Sequence, residues 1–374
     1  MIIGIEASHA NKQKRTGVEE VCFQIIQELK NIIPSQMKVI LYTHKRLNNE
    51  LNELPRNWEV KVLSWPLSKG WSQIRLSFEL FINRPDVFFA PGQLVPFLCP
   101  NKTITVVHDS AFRVFPKLYN KLARPYLDNM NKLIANRSKK IITPSQFSKD
   151  EFLKFYNFKK ENIRVIPWGY DKKRYTLETK QQSDNILKKF NINKPYFISI
   201  GRIEKKKNTS SIIKAFNYFR KNNKKEYQLL LIGEKRVGSE KIMDLINKSP
   251  YKDDIITPGW VDKEDLPIIL AKSSILIFPS KYEGFGLPVL QAMAVGVPVI
   301  CSKNKALQEV GGTAVEYAKH NNVLKISEKI TELVNNKAKR EKIIRAGLSR
   351  VERFGWEKTA QRVYKVIENM AKIS

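Results

Sequence analysis

Short apolar segments alternate with amphipathic segments along the first 170 residues of the chain. Apolar runs of a few residues are typical of strands that are buried on both faces of a parallel sheet. Amphipathic segments such as 18–29 and 124–135 lie between several of them and predict surface helices. The alternation therefore predicts a parallel sheet with helices on both faces, and its strands are expected at 2–5, 39–42, 60–63, 87–89, 104–107, 140–142 and 164–166.

A second series of the same kind follows a polar, lysine-rich passage that runs from Trp168 to Asn193. A chain of 374 residues is long enough for about two domains. We therefore predict an α/β protein with two Rossmann-like, doubly wound domains at 1–175 and 195–356, a linker at 176–194, and a ligand cleft between the domains. Strands of the second domain are expected at 196–200, 228–232, 255–256, 275–278 and 297–301.

Cysteine usage and hydropathy indicate an intracellular globular protein. Cys22, Cys99 and Cys301 lie far apart and form no CxxC pair, so neither a disulfide framework nor a zinc site is expected. The start of the chain has no signal-like segment, and no apolar run reaches membrane-spanning length. These features favour a reducing cytoplasm.

The charge is strongly positive, with 66 basic against 36 acidic residues and a net charge of +30. Such an excess indicates polyanionic partners, namely nucleic acid, anionic lipid or phosphorylated ligands. It also fits a genome that favours lysine codons, with the lysines solvated at the surface. The chain contains no recognition motif for nucleic acid, so we expect no nucleic-acid partner.

The segment 278–300 is the most informative part of the sequence. A strand ending at Pro279 leads into a glycine-bearing turn with one acid, Glu283, and an apolar helix begins near Pro288. The free N–H groups at a helix start bind anions and hydroxyl groups. An ordinary strand-to-helix turn would share much of this pattern.

Other polar residues follow predicted strands, where ligands bind in such sheets. Gly17 opens the helix after the first strand, and a backbone N–H there could approach a phosphate. His108 and Asp109 follow the strand at 104–107, where a histidine often has only a structural role. Arg202 and Lys207 follow the strand at 196–200 and offer cations for phosphate oxygens, although a solvated loop has similar composition.

These motifs together resemble those of the retaining family-4 glycosyltransferases, and the resemblance covers nearly the whole chain. Its elements are His108-Asp109 with Pro116, TPSQFS at 143–148, VIPWG at 165–169, GRIEKKKN at 201–208, GWV at 259–261 with Asp265-Leu266, PSKYEGFGLPVLQAMAVGVPV at 279–299, and Phe354-Gly355-Trp356. Members include mannosyl-, glucosyl- and rhamnosyltransferases. The resemblance implies the GT-B fold, with a C-terminal helix at 357–374 that packs back on the first domain.

The resemblance also implies a reaction and roles for individual residues. Such enzymes move a hexose from a nucleotide-diphosphate sugar to an acceptor hydroxyl, with retained anomeric configuration and without a metal or cofactor. The implied catalytic residues are Arg202 and Lys207 on the diphosphate, Glu283 on the sugar hydroxyls, and His108 on a further sugar hydroxyl. The implied donor-binding positions are the backbones of Gly17, Val261, Phe285, Gly286 and Leu287. GDP-mannose is the donor that we expect.

Position 291 departs from the family pattern, because Gln291 stands where the family has a second glutamate that binds the ribose. Glutamine keeps an acceptor oxygen but lacks the charge, so donor binding is expected to weaken by about 1 kcal/mol. Trp168 replaces the usual asparagine of another motif, and we expect that change to affect only the region between the domains.

The resemblance places the acceptor on the first domain, where residues 112–140 combine many basic residues with aromatic ones. This composition suits an anionic membrane surface or a lipid-linked acceptor, although a solvated helix face would also look basic. The residues expected to contact the acceptor or membrane are Asp109, Arg113, Lys117, Lys121 and Arg124. We therefore predict a peripheral enzyme at the inner face of the membrane, which builds a surface polysaccharide or glycolipid.

Two other function classes stay open on the sequence alone. A nucleotide-sugar epimerase can have the same two-domain fold, and the positive charge alone suggests a nucleic-acid-binding protein. The sequence makes no prediction about the oligomeric state.

Overall fold

The computed structural model describes residues 1–67, 69–119, 121, 123–183, 185–236 and 238–372. The chain forms two compact units. Unit 1 contains residues 1–169 and the segment from Trp356 onward, and unit 2 contains Tyr170–Gly355.

Unit 1 is built on a seven-stranded parallel sheet with the order β3-β2-β1-β4-β5-β6-β7. Its central strand pairs on both sides, so that Ile3 lies opposite Val39 and Val87. Its inner strands are mainly apolar because both faces of the sheet are covered there, whereas the strands at the two edges carry Glu59, Lys61 and Arg164. The sheet contains seven strands. They are β1 (Ile2–Glu6), β2 (Lys38–Thr43), β3 (Trp58–Val62), β4 (Val87–Ala90), β5 (Thr103–Val106), β6 (Lys140–Thr143) and β7 (Ile163–Val165).

The helices of unit 1 connect these strands. The first one begins at a capping box, in which the Thr16 N–H donates to the Glu19 carboxylate at 3.1 Å. A π-helical turn at Ser72–Leu76 leads directly into the third helix. Among the described residues, the helices that lie between these strands are α1 (Gly17–Ile32), α2 (Asn49–Asn52), α3 (Ser77–Ile82), α4 (Ala111–Val114), α5 (Ala123–Arg137) and α6 (Gln146–Phe155).

Unit 2 repeats this plan with a six-stranded parallel sheet of order β10-β9-β8-β11-β12-β13. Its strands are β8 (Tyr196–Ile200), β9 (Gln228–Ile232), β10 (Ile255–Gly259), β11 (Ile275–Phe278), β12 (Val299–Ser302) and β13 (Glu316–Ala318). Its helices are α7 (Asn185–Lys189), α8 (Thr209–Lys221), α9 (Glu240–Asn247), α10 (Asp265–Ala271), α11 (Leu287–Ala294), α12 (Lys305–Gly311), α13 (Val323–Asn335) and α14 (Lys337–Val351).

An aromatic cluster forms one part of the core of unit 2. Phe197 on β8 stacks on Tyr227 with 4.7 Å between ring centroids, and it meets Phe219 edge-on at 5.1 Å. All three rings are buried. Such pairs stabilise a core by about 1 kcal/mol beyond their buried area. The cluster fixes α8 against the strand whose end carries Arg202.

The linker predicted at 176–194 is wrong. This segment is part of unit 2, where the Lys189 ammonium lies 2.8 Å from the Asp265 carboxylate of α10. The ammonium of Lys272, which follows α10, donates to the Lys180 carbonyl at 3.1 Å. The boundary between the units falls at Gly169 and Tyr170 rather than at residue 175. The segment 176–194 is polar because one of its faces is exposed to solvent, while the segment itself packs on the rest of unit 2.

The last helix, α15 (Trp356–Ala371), belongs to unit 1 and packs on α1. Its Thr359 hydroxyl donates to the Pro167 carbonyl at 2.8 Å. Val363 and Ile367 on its inner face are fully buried. No helix in the described part of the chain has both the length and the apolar composition needed to cross a membrane.

Candidate active site

The ends of β8 and β9 approach each other so closely that only glycine fits between them. Gly201 and Gly233 have φ angles of +146° and +140°, which side-chain-bearing residues rarely adopt. A Cβ atom on Gly233 would lie 2.2 Å from the Gly201 carbonyl oxygen. The chain then turns away from the sheet and presents Arg202 and Lys207 at its carboxyl edge.

Asn208 locks this turn to the rest of the edge. Its φ of +60° lies in the left-handed region, which asparagine tolerates better than most residues. Its side-chain amide donates to the carbonyls of Pro279 at 3.2 Å and His320 at 2.5 Å. The start of α8 is therefore tied to the loop that follows β11.

Lys207 and Glu283 form an ion pair at this edge. The Lys207 Nζ atom lies 2.6 Å from Glu283 Oε1, and the side chains are only 21% and 12% exposed. The ammonium also lies 5.1 Å from the centroid of the Phe278 ring. The pair joins residues far apart in sequence because β8 and β11 are neighbours in the sheet. By contrast, Arg202 is exposed, and no described residue forms an ion pair with it.

The loop between β11 and α11 has the predicted form of strand, glycine turn and helix start. Gly286 has a φ of +111°, and a Cβ there would lie 2.4 Å from Leu307 Cδ2. Pro288 occupies the first turn of α11, where its missing N–H leaves no carbonyl unpaired. Phe285 is buried and packs edge-on against Phe354 at 6.1 Å. Backbone N–H groups of 285–287 thus lie at the start of α11, which carries a partial positive charge.

The remaining predicted donor residues lie at the same edge. Val261 is buried just beyond β10, whose last carbonyl, that of Gly259, accepts from the Gly233 N–H at 2.9 Å. Gln291 lies one turn into α11 and is half-buried, and its side chain has no hydrogen bond to any residue that the structure describes. The structure therefore gathers Arg202, Lys207, Val261, Glu283, Gly286 and Gln291 at the carboxyl edge of one sheet.

In unit 1, His108 is buried just beyond β5, at the carboxyl edge of the sheet. Its Nε2 atom lies 2.9 Å from the Pro91 carbonyl, which only accepts, so Nε2 carries the proton. Burial lowers the pKa of His108 to about 4, and the bond to Pro91 offsets only part of this effect. The neutral ring therefore keeps Nδ1 as a hydrogen-bond acceptor for a hydroxyl group. Trp168 packs 5.7 Å from this ring, so the sequence departure there lies beside His108.

A second histidine, His9, which the sequence motifs did not indicate, lies at this edge. His9 Nδ1 lies 3.1 Å from Glu6 Oε2, and the fully buried Glu6 also accepts from the Ser8 N–H at 2.8 Å. Burial alone would lower the pKa of His9, but the Glu6 carboxylate outweighs burial and raises it. The ring covers Gly92, where a Cβ would lie 2.5 Å away. An acid at the end of the first strand with histidine three residues later was the available signal.

Gly17 and Asp109 also lie at the carboxyl edge of the unit 1 sheet. Gly17 is exposed at the first turn of α1, and a Cβ built on it would have no neighbour within 4 Å. Its position permits close approach by a ligand, but the local backbone does not require glycine. Asp109 accepts a hydrogen bond from the Ala111 N–H at 3.0 Å and so supports the start of α4.

Four of the basic residues of 112–140 line an open cavity of about 380 Å³ at α5. Arg113 Nε lies 3.1 Å from Asp128 Oδ1, although the N–H does not point at that oxygen. The Arg113 guanidinium packs against the rings of Phe155 and Tyr156. Lys121 and Arg124 line the cavity as exposed cations, together with Lys132. Lys117 is exposed but lies outside the lining.

Comparisons with known proteins identify the class of both units. Residues 15–174 match the model described as "Glycosyltransferase Family 4", and residues 182–350 match "Glycosyl transferases group 1". The protein is therefore a glycosyltransferase. It belongs to the family in which a Family 4 domain is followed by a group 1 domain, as its sequence motifs indicated.

Individual relatives agree with this assignment. The chain is 28% identical over 315 residues to the O-antigen chain mannosyltransferase B of Escherichia coli, with 84% of this chain and 80% of the relative covered. It is 28% identical over 266 residues to the O-antigen chain mannosyltransferase RfbU of Salmonella typhimurium, with 70% and 68% covered. The structure of sucrose-phosphate synthase from Thermosynechococcus elongatus superposes with a TM-score of 0.77 at 17% identity, over 100% of both chains. The predicted GT-B fold class is thus confirmed.

Proposed function

We propose that this glycosyltransferase moves mannose from a nucleotide-diphosphate donor to a glycan or lipid-linked acceptor, with retained configuration and without a metal. Surface polysaccharide or glycolipid synthesis is the proposed setting. The observation that carries the proposal is the carboxyl edge of the unit 2 sheet, where two cations and one carboxylate surround a helix start. The choice of mannose is supported by the similarity of the chain to the two O-antigen chain mannosyltransferases.

The two cations suit a departing diphosphate. Negative charge grows on the leaving group in the transition state, and fixed cations beside it lower the barrier. Lys207 is held in place by Glu283 and Phe278, whereas Arg202 is exposed and presents a planar fork that fits phosphate oxygens. The N–H groups at the start of α11 add further donors for the same anion.

Glu283 suits the donor sugar. Its Oε1 atom is engaged by Lys207, which leaves the lone pairs of Oε2 for sugar hydroxyls. Because Lys207 bridges the carboxylate and the proposed phosphate position, one residue fixes the distance between sugar and leaving group. Removal of Lys207 should therefore disturb the binding of both the sugar and the leaving group.

The proposed chemistry is front-face transfer. The bond between the anomeric carbon and the phosphate oxygen breaks, a bond to the acceptor oxygen forms on the same face, and the phosphate oxygen takes the acceptor proton. Neutral His108 accepts a hydrogen bond from a sugar hydroxyl in this proposal. In the same proposal, the cations at α5 bind a phosphate of the acceptor. The enzyme also contacts the anionic inner face of the membrane.

The test is transfer from a panel of nucleotide sugars that includes GDP-mannose, with the product's anomeric configuration read by NMR. Lys207→Ala and Glu283→Ala should each lower turnover by roughly 100- to 1,000-fold while the melting curve stays cooperative. Lys205→Ala is the matched control, because Lys205 is an exposed lysine in the same loop. Wild-type rates in either site variant would contradict the proposed site. Conversion of the sugar to its epimer without an acceptor would contradict transfer itself.

A further inference from the structure

Unit 1 exposes a group of large apolar side chains that the glycosyl-transfer site does not use. We call it the apolar patch, and its members are each 45% to 68% exposed. They are Leu67, Ile74, Phe78, Phe81, Ile82, Phe97 and Leu98. Single exposed apolar residues are ordinary, but this many from two neighbouring segments indicate an interaction surface.

The segment 72–82 is apolar on two opposite faces. Leu76 and Leu80 are buried in the core of unit 1, while Phe78 and Phe81 point away from it. A surface helix needs only its inner face to be apolar in order to fold. The outer phenylalanines therefore add nothing to packing within this chain, and they oppose solubility unless another surface covers them.

The second segment of the apolar patch is attached to the first by hydrogen bonds. The Leu98 N–H donates to the Ser77 hydroxyl at 3.2 Å, and the Gln73 amide donates to the Val95 carbonyl at 3.1 Å. These bonds place Phe97 and Leu98 beside the start of α3. The patch is therefore a defined surface built from both segments.

The charges around the apolar patch are mainly positive. Lys69 and Arg84, which flank the segment 72–82 in the sequence, are both exposed. The one acid on α3, Glu79, is buried and bonded to Lys61 at 2.8 Å and Arg75 at 3.2 Å. Asp86, beyond the end of α3, accepts from the Ile2 N–H at 2.7 Å.

We propose that the apolar patch inserts into the surface of a bilayer that contains anionic lipids. Aromatic and aliphatic side chains with flanking lysine and arginine are the combination that binds such an interface. A second copy of the chain fits less well, because a two-fold contact through this patch would bring its own cations together. The sequence predicted membrane contact at the basic residues of 112–140, whereas the apolar patch lies on different elements.

The turn that precedes α3 contacts the buried side of α5, the helix that contributes residues to the cavity proposed for the acceptor. Gln73, in the turn that carries Ile74, approaches the Met130 sulfur of α5 at 4.0 Å. The inference rests on the proposed function in one respect, since a lipid-linked acceptor gives the enzyme a reason to bind a bilayer. Binding itself is measured without any reaction.

The test is co-sedimentation of the full chain with two kinds of vesicle, phosphatidylcholine alone and phosphatidylcholine with phosphatidylglycerol. The test variant is Phe78→Ser/Phe81→Ser, and its control is Leu324→Ser, which removes a 50% exposed leucine from unit 2. We expect wild type and control to bind the anionic vesicles, and the double variant to bind roughly 100-fold more weakly. Lys69→Ala/Arg84→Ala should weaken binding to anionic vesicles and make it less dependent on salt.

Several outcomes would overturn the inference. The double variant would bind as tightly as wild type if another surface held the bilayer. Wild type would stay in solution with both vesicles if the patch had no lipid partner, and a concentration-dependent dimer that the double variant loses would assign the patch to a second copy. Donor hydrolysis without vesicles should be equal in all variants, so a failure of the proposed reaction is distinguished from a failure of membrane binding.

Discussion

The ion pair between Lys207 and Glu283 gives a prediction that a single substitution could not test. Lys207→Ala removes a cation from the proposed diphosphate position and also leaves the Glu283 carboxylate without its partner. We expect the second effect to be the larger one. Neutralising the carboxylate in the double variant Lys207→Ala/Glu283→Gln should therefore restore part of the lost affinity for a nucleoside diphosphate.

The distances set the size of the effect. Lys207 Nζ lies 2.6 Å from Glu283 Oε1, and a phosphate oxygen bound to the same ammonium lies about 2.8 Å from it, so the two oxygens are at most about 5.4 Å apart. At an effective dielectric constant of about 20, two negative charges at this separation repel by about 3 kcal/mol. The lost charge-assisted hydrogen bond adds about 2 kcal/mol. The double variant should recover the first amount, which is roughly 100-fold in Kd.

The assay is titration calorimetry with GDP and with UDP, which share the diphosphate. Wild type, both single variants and the double variant are compared, with Lys205→Ala as the control. Glu283→Gln alone should bind the diphosphate as well as wild type or better, yet turn over the nucleotide sugar more slowly. The reason is that the sugar is the only part of the donor that the carboxylate contacts in the proposed site. If the double variant binds no more tightly than Lys207→Ala, the diphosphate does not lie beside Glu283 and the proposed site is misplaced.

Three further predictions concern single positions. Gln291→Glu should leave transfer equal or raise it, and a folded but inactive variant would show that Gln291 does not face the ribose. Because the pKa of His108 lies near 4 in the folded protein and near 6.5 when unfolded, protons favour the unfolded chain between these values. The free energy of unfolding should therefore fall by up to about 3 kcal/mol as the pH drops from about 6.5 to about 4, and denaturant titrations should show a smaller fall in His108→Gln. Gly286→Ala should cost about 1–3 kcal/mol of stability, since its φ is +111°, and should slow transfer by moving the start of α11; unchanged melting temperature and rate would contradict this.

Most strands were predictable because they are short, mainly apolar runs that are buried in the two sheets. All the strands expected from the sequence are present, with ends shifted by up to three residues. One further strand, β13, was not predicted, because Glu316-Tyr317-Ala318 is short and contains a charge. The segment 176–194 was misjudged because composition reports exposure to solvent, whereas its ion pair with Asp265 depends on residues far along the chain.

The candidate site was predictable to the level of the sheet edge. Glu283, Arg202 and Lys207 each follow a strand, so their common edge could be inferred from topology alone. Their contacts could not, because the 2.6 Å pair depends on the order β8–β11 and on how Asn208 turns the loop. The apolar patch was not predicted for a related reason. The run WSQIRLSFELFI has two apolar faces, and the sequence does not show which of them packs in the core.

The position of α15 has a consequence for how the protein is made. Unit 1 is completed by the helix at Trp356–Ala371, whereas all of unit 2 lies earlier in the chain. A ribosome therefore delivers the second domain whole while the first still lacks the helix that covers α1. Domains usually fold in the order of their synthesis. Here we expect the N-terminal domain to keep the apolar face of α1 uncovered, and accessible to chaperones, until α15 has left the exit tunnel.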